Sequence, residues 1–178
     1  DRPQTTMNLE IIDPRYHLFW DELLLESGDP SFFHTAAWTK VLSESYGYKP
    51  IFFVLRDGRQ IVSLMPFMEI SSPLTGRRGV SLPFTDFCDP FGAGGEFLKV
   101  AAEAVIAYGE RANWRYAEWR TTGVFLRPDK SSGTYLTHDI DLTRSEQELN
   151  TSLKDSNRRN IRMAAKEGVA VRFERSIE

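Results

Sequence analysis

Two apolar runs, Ile51–Leu55 and Ile61–Met68, are separated by a short stretch that contains Asp57-Gly58. Asp-Gly between such runs is a strong hairpin signal. The tight turns that join antiparallel strands need positive φ at their centre, which Gly adopts at no steric cost. This pairing constrains the chain more than any other feature. It predicts strands over Ile51–Leu55 and Ile61–Ile70, with Gly79–Leu82 as the third strand of a meander. Pro66, which has no N–H to donate, marks a bulge or an edge in the second strand. Both runs are far shorter than the roughly 20 residues of a membrane span.

The remaining periodicities place helices around this meander. Leu9–Ile12 reads as a short strand. Asp13 and Pro14 suit the start of a helix whose stripe is Tyr16, Phe19, Trp20, Leu23 and Leu24, ended by Gly28. Thr35 reads as the cap of a second helix with Trp38, Val41, Leu42 and Ser45 on one face, stopped by Gly47. Residues 83–95 are loop-like. Phe97, Ala101, Ala104, Val105, Tyr108 and Ala112 recur at helical spacing. Tyr116–Arg120 reads as a strand, Arg127–Gly133 as a loop, and Tyr135–Leu142 as an alternating strand. Thr143-Arg144-Ser145-Glu146 reads as a capping box opening a short helix. A second helical stretch, Ser152–Glu167, is stopped by Gly168, and Val169, Val171 and Phe173 alternate as a last strand. The order is β-α-α-β-β-β-α-β-β-α-α-β. With 178 residues and no dividing linker, it predicts one α/β domain: a mixed, mainly antiparallel sheet flanked by helices.

Cys88 is the sole cysteine, and His17, His34 and His138 lie far apart, so neither a disulfide nor a metal site is expected. The single cysteine and the lack of a basic-then-apolar start in residues 1–12 fit a cytoplasmic compartment. The most informative charge pattern is local. Residues 154–166 hold Lys154, Arg158, Arg159, Arg162 and Lys166 against Asp155 alone, five positive to one negative, in a chain of net charge −3. Lys154, Arg158, Arg162 and Lys166 recur every fourth residue and form one ridge, with Leu149, Leu153, Ile161, Ala164 and Ala165 placed to face a core beneath. Like charges at this spacing each cost a few tenths of a kcal/mol. The ridge is either an anion-binding surface or a solvated basic face on which Asp155 pairs Arg159.

The run Lys154-Asp-Ser-Asn-Arg158-Arg-Asn160-Ile161-Arg162-Met-Ala164-Ala165-Lys166-Glu-Gly168-Val169 resembles a signature of FemAB-like transferases, which are related to the GNAT fold. Phe32-Phe33-His34-Thr35-Ala36-Ala37-Trp38-Thr39-Lys40-Val41 resembles the family's early helix. Gly58-Arg59-Gln60-Ile61-Val62, Arg77–Pro83 and Tyr116–Arg120 follow in the expected order. The resemblance implies a GNAT-like lobe and transfer of an acyl or aminoacyl group to an amine, as in peptidoglycan and cell wall biogenesis or exopolysaccharide pathways. It implies an anionic, nucleotide- or phosphate-bearing acceptor and aminoacyl-tRNA or acyl-CoA as co-substrate, with no tightly held cofactor. It also implies a second GNAT-like lobe in a longer protein, a reading that fits a first residue of Asp1. Lys40 and, on the basic helix, Arg158, Asn160, Arg162 and Lys166 are the candidates for holding the acceptor's phosphates, chemistry that suits Arg's planar fork and Lys's point charge.

Three other segments are candidates. In the loop Pro83-Phe84-Thr85-Asp86-Phe87-Cys88-Asp89-Pro90, Phe84, Thr85 and Phe87 are placed to flank a ligand. Asp86 there is the one candidate for a catalytic group, orienting the amine. The same loop can equally be rigid, with its aromatics in the core. Arg120 at a strand end is a substrate-binding candidate or a partner of Glu118 or Asp141. Arg120-Thr-Thr-Gly123-Val-Phe125 is the nearest approach to a coenzyme A turn, but Pro128 and Gly133 argue against the helix that should follow. Nothing in the spacing joins Cys88 to His138 as nucleophile and base, and His34 reads as structural or capping. Two further functional readings stay open: a non-catalytic GNAT-like module binding RNA or a protein partner, and a coenzyme A-dependent acetyltransferase.

Overall fold

The computed structural model describes residues 7–28, 30–92, 95–122, 133, 135, 136, 138 and 140–173. These form two compact units, residues 1–134 and 135–178. The first contains β1 (Met7–Ile12), α1 (Trp20–Ser27), α2 (Ala36–Tyr46), β2 (Lys49–Asp57), β3 (Gln60–Ser72), β4 (Gly76–Val80), β5 (Phe91–Gly92), α3 (Gly95–Arg111) and β6 (Trp114–Glu118). The second contains α4 (Glu146–Ser152) and α5 (Asp155–Lys166).

The hairpin forms as its sequence requires. Asp57 pairs Gln60 across a two-residue turn, and Gly58 has a φ of 59°. The strand order is β1-β2-β3-β4-β6, with β5 also pairing β3. Every pairing is antiparallel except β4 with β6. The fold class is therefore a mixed, mainly antiparallel sheet flanked by helices. The register bulge falls between Leu55 and Arg56 rather than at Pro66. Pro66 lies in the interval between the β5 pairing at Leu64 and the β4 pairing at Met68, where neither strand asks for a ladder hydrogen bond.

β2 and β3 are apolar on both faces, and each face has its own core. Trp20, Leu24, Leu42, Phe52, Val54, Leu64 and Met68 pack on the side of α1 and α2. Ile51, Phe53, Met65 and Phe67 pack against Ala101, Ala102 and Val105 of α3 on the other. Trp114 lies across Gly79, where any Cβ would overlap the indole; that close approach is what glycine permits. The indole N–H donates to the Glu69 carboxylate at 2.7 Å.

Several elements depart from expectation. Asp13 caps only a 3₁₀ turn, Pro14–Tyr16, and the α-helix begins at Trp20, because Phe19 takes a left-handed φ of 60° that interrupts the stripe. The inward face of α2 is Thr39, Leu42 and Ser43, while Val41 is exposed. The last strand of the sheet runs Trp114–Glu118, so Arg120 lies two residues past its end. Of the expected strand over residues 135–142, Tyr135, Leu136, His138, Ile140, Asp141 and Leu142 are described, without strand pairing and exposed; its other residues, and all of 127–132, lie outside the described residues. Residues 169–173 are likewise unpaired and exposed. Alternation makes a strand only where a neighbour completes the ladder and a core takes one face, and the described residues of this unit offer neither. The capping box is Ser145 with Glu148, two positions later than read. No residue of α4 or α5 is buried, so the described residues of this small unit do not form the core expected beneath the basic ridge.

Candidate functional site

β4 and β6 run parallel and end together at Val80 and Glu118. The carboxyl ends of parallel strands are where open α/β sheets bind ligands. The chain from 81 to 92 crosses this end and is tied down there. The Ser81 amide donates to the Glu118 carbonyl at 2.9 Å, the Arg120 amide to Ser81 Oγ at 2.7 Å, and the Cys88 amide to the Arg120 carbonyl at 2.8 Å. Asp89 accepts from the hydroxyl of Thr121 at 2.6 Å and from the amide and hydroxyl of Thr122.

Inside this clamp the backbone is strained. Leu82 and Phe84 have φ values of 56° and 62°. Each non-glycine residue in that region costs on the order of 1–2 kcal/mol and persists only where its surroundings hold it. Leu82 is buried, and its carbonyl accepts from Thr85 Oγ1 at 2.7 Å. Thr85 is buried too, and its carbonyl accepts from Arg120 Nη1 at 3.2 Å. Phe84 projects outward, 57% exposed.

The structure thus brings Thr85 and Arg120 together, with Phe84 and Asp86 on the same loop. Arg120 also pairs the Glu118 carboxylate at 2.7 Å, so its guanidinium braces the loop. Asp86 is exposed. Lys40 stands on the outer face of α2, 3.8 Å from Glu44. Arg158, Asn160, Arg162 and Lys166 lie on α5 of the second unit. There Arg158 pairs Asp155, not the expected Arg159, and donates to the Thr151 carbonyl at 2.9 Å. Lys154 sits one residue before the helix, as its cap. The segment beyond Thr122, including Gly123 and Phe125, lies outside the described residues.

Two arrangements were not read from the sequence. Cys88 is buried beside His34, with Sγ 3.7 Å from Nε2. The Ser31 amide donates to His34 Nδ1 at 3.1 Å, so Nε2 carries the ring hydrogen and donates it to the Asp89 carbonyl at 3.1 Å. The ring is therefore a capping and bridging group with no free nitrogen to take a thiol proton. Burial lowers its pKa from the ordinary histidine value. Burial, with Asp89 adding to it, pushes the Cys88 thiol up to about 12, which removes it as a nucleophile near neutrality. His34 and Cys88 border an open cleft of about 610 Å³ that also takes in Ser31, Gln60, Phe87 and Gly92. Secondly, Tyr46 and Tyr48 meet Phe84. Their sequence signal is slight: two tyrosines on either side of a helix-stopping glycine.

No family description matches the chain, and no curated protein does. Solved structures similar to it include a ribosomal-protein-alanine N-acetyltransferase from Brucella melitensis biovar Abortus 2308, at 14% identity and a TM-score of 0.47, covering 76% of this chain and 99% of that one. A predicted acetyltransferase with acetyl-CoA from Clostridium acetobutylicum is similar at 15% identity and a TM-score of 0.41, over 79% of this chain and 99% of its own. An integron cassette protein from the mobile metagenome of V. cholerae is similar at 11% identity and a TM-score of 0.39, over 74% and 93%.

Proposed function

We propose that this chain is an acyltransferase lobe of the FemAB-like, GNAT-related kind, acting on an amine acceptor that carries a nucleotide or phosphate. The observation that supports the reading is the sheet. A GNAT-like lobe requires the antiparallel meander from Ile51 to Val80 and a helix near 96–112 packed on it, and both are present. After them comes one parallel pair whose ends open onto a clamped loop. In such a reaction the acceptor amine attacks an activated acyl carbon, and the protein positions the two substrates and stabilises the oxyanion. On the second unit, Arg158, Asn160, Arg162 and Lys166 are the candidates for the acceptor's anionic groups; on the first, Lys40 is a separate candidate for an anionic group and Asp86 for orienting an amine. Transfer is direct, since Cys88 is buried and protonated. Aminoacyl-tRNA or an acyl-CoA supplies the acyl group, in the cytoplasm, for cell-envelope or polysaccharide synthesis.

Titration of a nucleotide-linked amine into the protein tests the acceptor site. Charge-assisted hydrogen bonds contribute about 1.5–3 kcal/mol, so Arg158→Ala and Arg162→Ala are each expected to weaken binding about 10- to 150-fold. Lys99→Ala, paired with Glu96 on α3, serves as the control. Added salt weakens the complex as well, because exposed charges are screened over roughly 8–10 Å. Equal affinity in all variants sinks the acceptor assignment.

A second reading is favoured by α5 itself. Its cations are exposed except for half-buried Arg158, which alone among them is in an ion pair with a described residue. On that reading the unit grips RNA without turnover, and salt-sensitive RNA binding with no transfer decides for it. Calorimetric titration with acetyl-CoA decides the third reading, a coenzyme A-dependent acetyltransferase.

A further inference from the structure

β3 and β4 are joined by a turn at residues 73–75. It lies at the end of the sheet opposite the clamp, because the parallel strands β4 and β6 start beside it and finish at the clamp. Ser72 Oγ accepts from the Leu74 and Thr75 amides at 3.3 and 3.4 Å, and Gly76 leaves the turn with a φ of 76°. The Arg115 side chain lies across Gly76, where a Cβ would come within 2.9 Å of its Cδ. Leu74 is 93% exposed.

Four arginines gather behind this turn. Arg78 donates to Thr75 Oγ1 at 2.9 Å, and Arg115 to the Thr75 carbonyl at 3.2 Å. Arg77 donates to the Ala112 carbonyl at 3.4 Å, one residue past Arg111, which closes α3. Among the described residues none of the four is in an ion pair. The sequence has no acidic residue from Ile70 to Thr85. The acids alongside are Glu69, whose carboxylate takes the Trp114 N–H and which stands opposite Lys49, and Glu110, exposed in the last turn of α3.

Cations suit a helix C-terminus, which accounts for part of the placing of Arg77 and Arg111. It does not account for Arg78 and Arg115. These two converge on one threonine with no carboxylate between them, and each keeps N–H groups for a further acceptor. In front of them stands Leu74, where a turn ordinarily takes Gly, Asn, Asp or Ser. An isolated exposed leucine is common on protein surfaces. One set at a hairpin tip ahead of unpaired arginines matches both layers of an anionic bilayer: charged headgroups for the guanidiniums and acyl chains for the leucine. RNA would take the cations but offers the aliphatic tip no apolar layer.

We propose that the β3–β4 turn docks this protein onto an anionic lipid surface, with Leu74 entering the interface and Arg77, Arg78, Arg111 and Arg115 on the headgroups. The contact stands apart from the acyltransferase reading, since it uses none of the residues assigned to the acceptor.

The test is co-sedimentation of the full chain with vesicles of phosphatidylcholine containing one-third phosphatidylserine, against phosphatidylcholine alone. Binding is expected to the first only, and it should fall with added salt. Each cation near such a surface is worth about 5-fold in partitioning, so Arg78→Gln with Arg115→Gln should weaken it about 25-fold. Leu74→Ser should weaken it about 5-fold or more. That single variant breaks no side-chain bond and stands in if the double variant loses its near-UV dichroism. Lys99→Ala, near the start of α3, should bind as the parent does. Absence of binding to the anionic vesicles overturns the proposal. So does parent-like binding by both Leu74→Ser and the double variant, which would put the contact on α5 instead. A third contrary result is parent-like binding by Leu74→Ser while the double variant loses both vesicles and polyuridylate. The turn would then be a general polyanion surface, not a lipid-docking one.

Discussion

Cys88 and His34 show how burial decides what a reactive residue type does. A thiol beside an imidazole is the composition of a nucleophile and its base, yet here the imidazole's Nε2 hydrogen is donated to Asp89 and its Nδ1 is filled by the Ser31 amide. Both groups instead write a pH dependence into stability. The Cys88 pKa is raised from 9.0 to about 12 in the folded chain. The unfolded chain therefore loses that proton first, and the contribution of the buried thiol is complete below pH 9 and lost as pH rises toward 12. The pKa of His34 is lowered, so its contribution is present above the ordinary value of 6.5 and lost as pH falls below it. Thermal melts should show Cys88→Ala flattening the alkaline slope relative to the parent, and His34→Gln flattening the acid one. Native Cys88 should also resist a thiol reagent until the protein unfolds. Rapid labelling of the folded chain would contradict its burial. Neither effect is legible from the residue type, because each follows first from burial in the packed chain.

At the scale of elements, α4 and α5 are the least supported, since neither buries a residue. Their helicity depends on caps and local pairs. Ser145 Oγ accepts from the Glu148 amide, and the Glu148 carboxylate accepts from the Ser145 amide at 2.9 Å and hydroxyl at 2.6 Å. Those bonds hold the Glu148 carboxyl below its ordinary 4.5. A depressed carboxyl stabilises above its unfolded pKa and ceases to do so as pH falls through the folded one. Far-UV dichroism should therefore show a loss of helix below about pH 4.5 that Ser145→Ala largely removes. Loss of the cap itself costs about 0.5–2 kcal/mol. No change in helicity on Ser145→Ala would show that something other than the cap holds α4. The sequence shows two S/T-x-x-E patterns in succession, from Thr143 and from Ser145. Pattern alone cannot choose between them. Asp141 settles it by accepting from the Thr143 amide and hydroxyl at 2.9 and 2.7 Å, which ties Thr143 into a turn ahead of the helix.

For the molecule as a whole, both cores draw, among the described residues, on those from Ile12 to Trp119. The described sheet, its three α-helices and the clamp at the parallel strand ends all lie within the first unit. A fragment of residues 1–134 should therefore keep its near-UV dichroism and a cooperative melt. Loss of the cooperative transition in that fragment would show that residues 135–178 contribute to the core. Binding through Arg158 and Arg162 should be lost in the fragment.

What the sequence determined by itself was local. Asp57-Gly58 fixed the hairpin, Thr35 and Gly47 the ends of α2, and the 3–4 spacing from Phe97 to Tyr108 the helix α3. These signals act within a few residues and need no partner to be read. Tertiary structure decided the rest. It put Phe19 in a left-handed conformation that splits the first helix, and it left residues 169–173 unpaired because alternation without a neighbouring strand has no ladder to join. Asp86 was legible as a charged residue on a loop, Arg120 as one at a strand end, and Lys40 only through the resemblance of the early helix that carries it. That Arg120 would brace Thr85, and that Tyr46, Tyr48 and Phe84 would converge, depended on segments some 40 residues apart meeting across the sheet. Such meetings are set by which faces are buried together, a property of the packed chain and not of any one stretch of it.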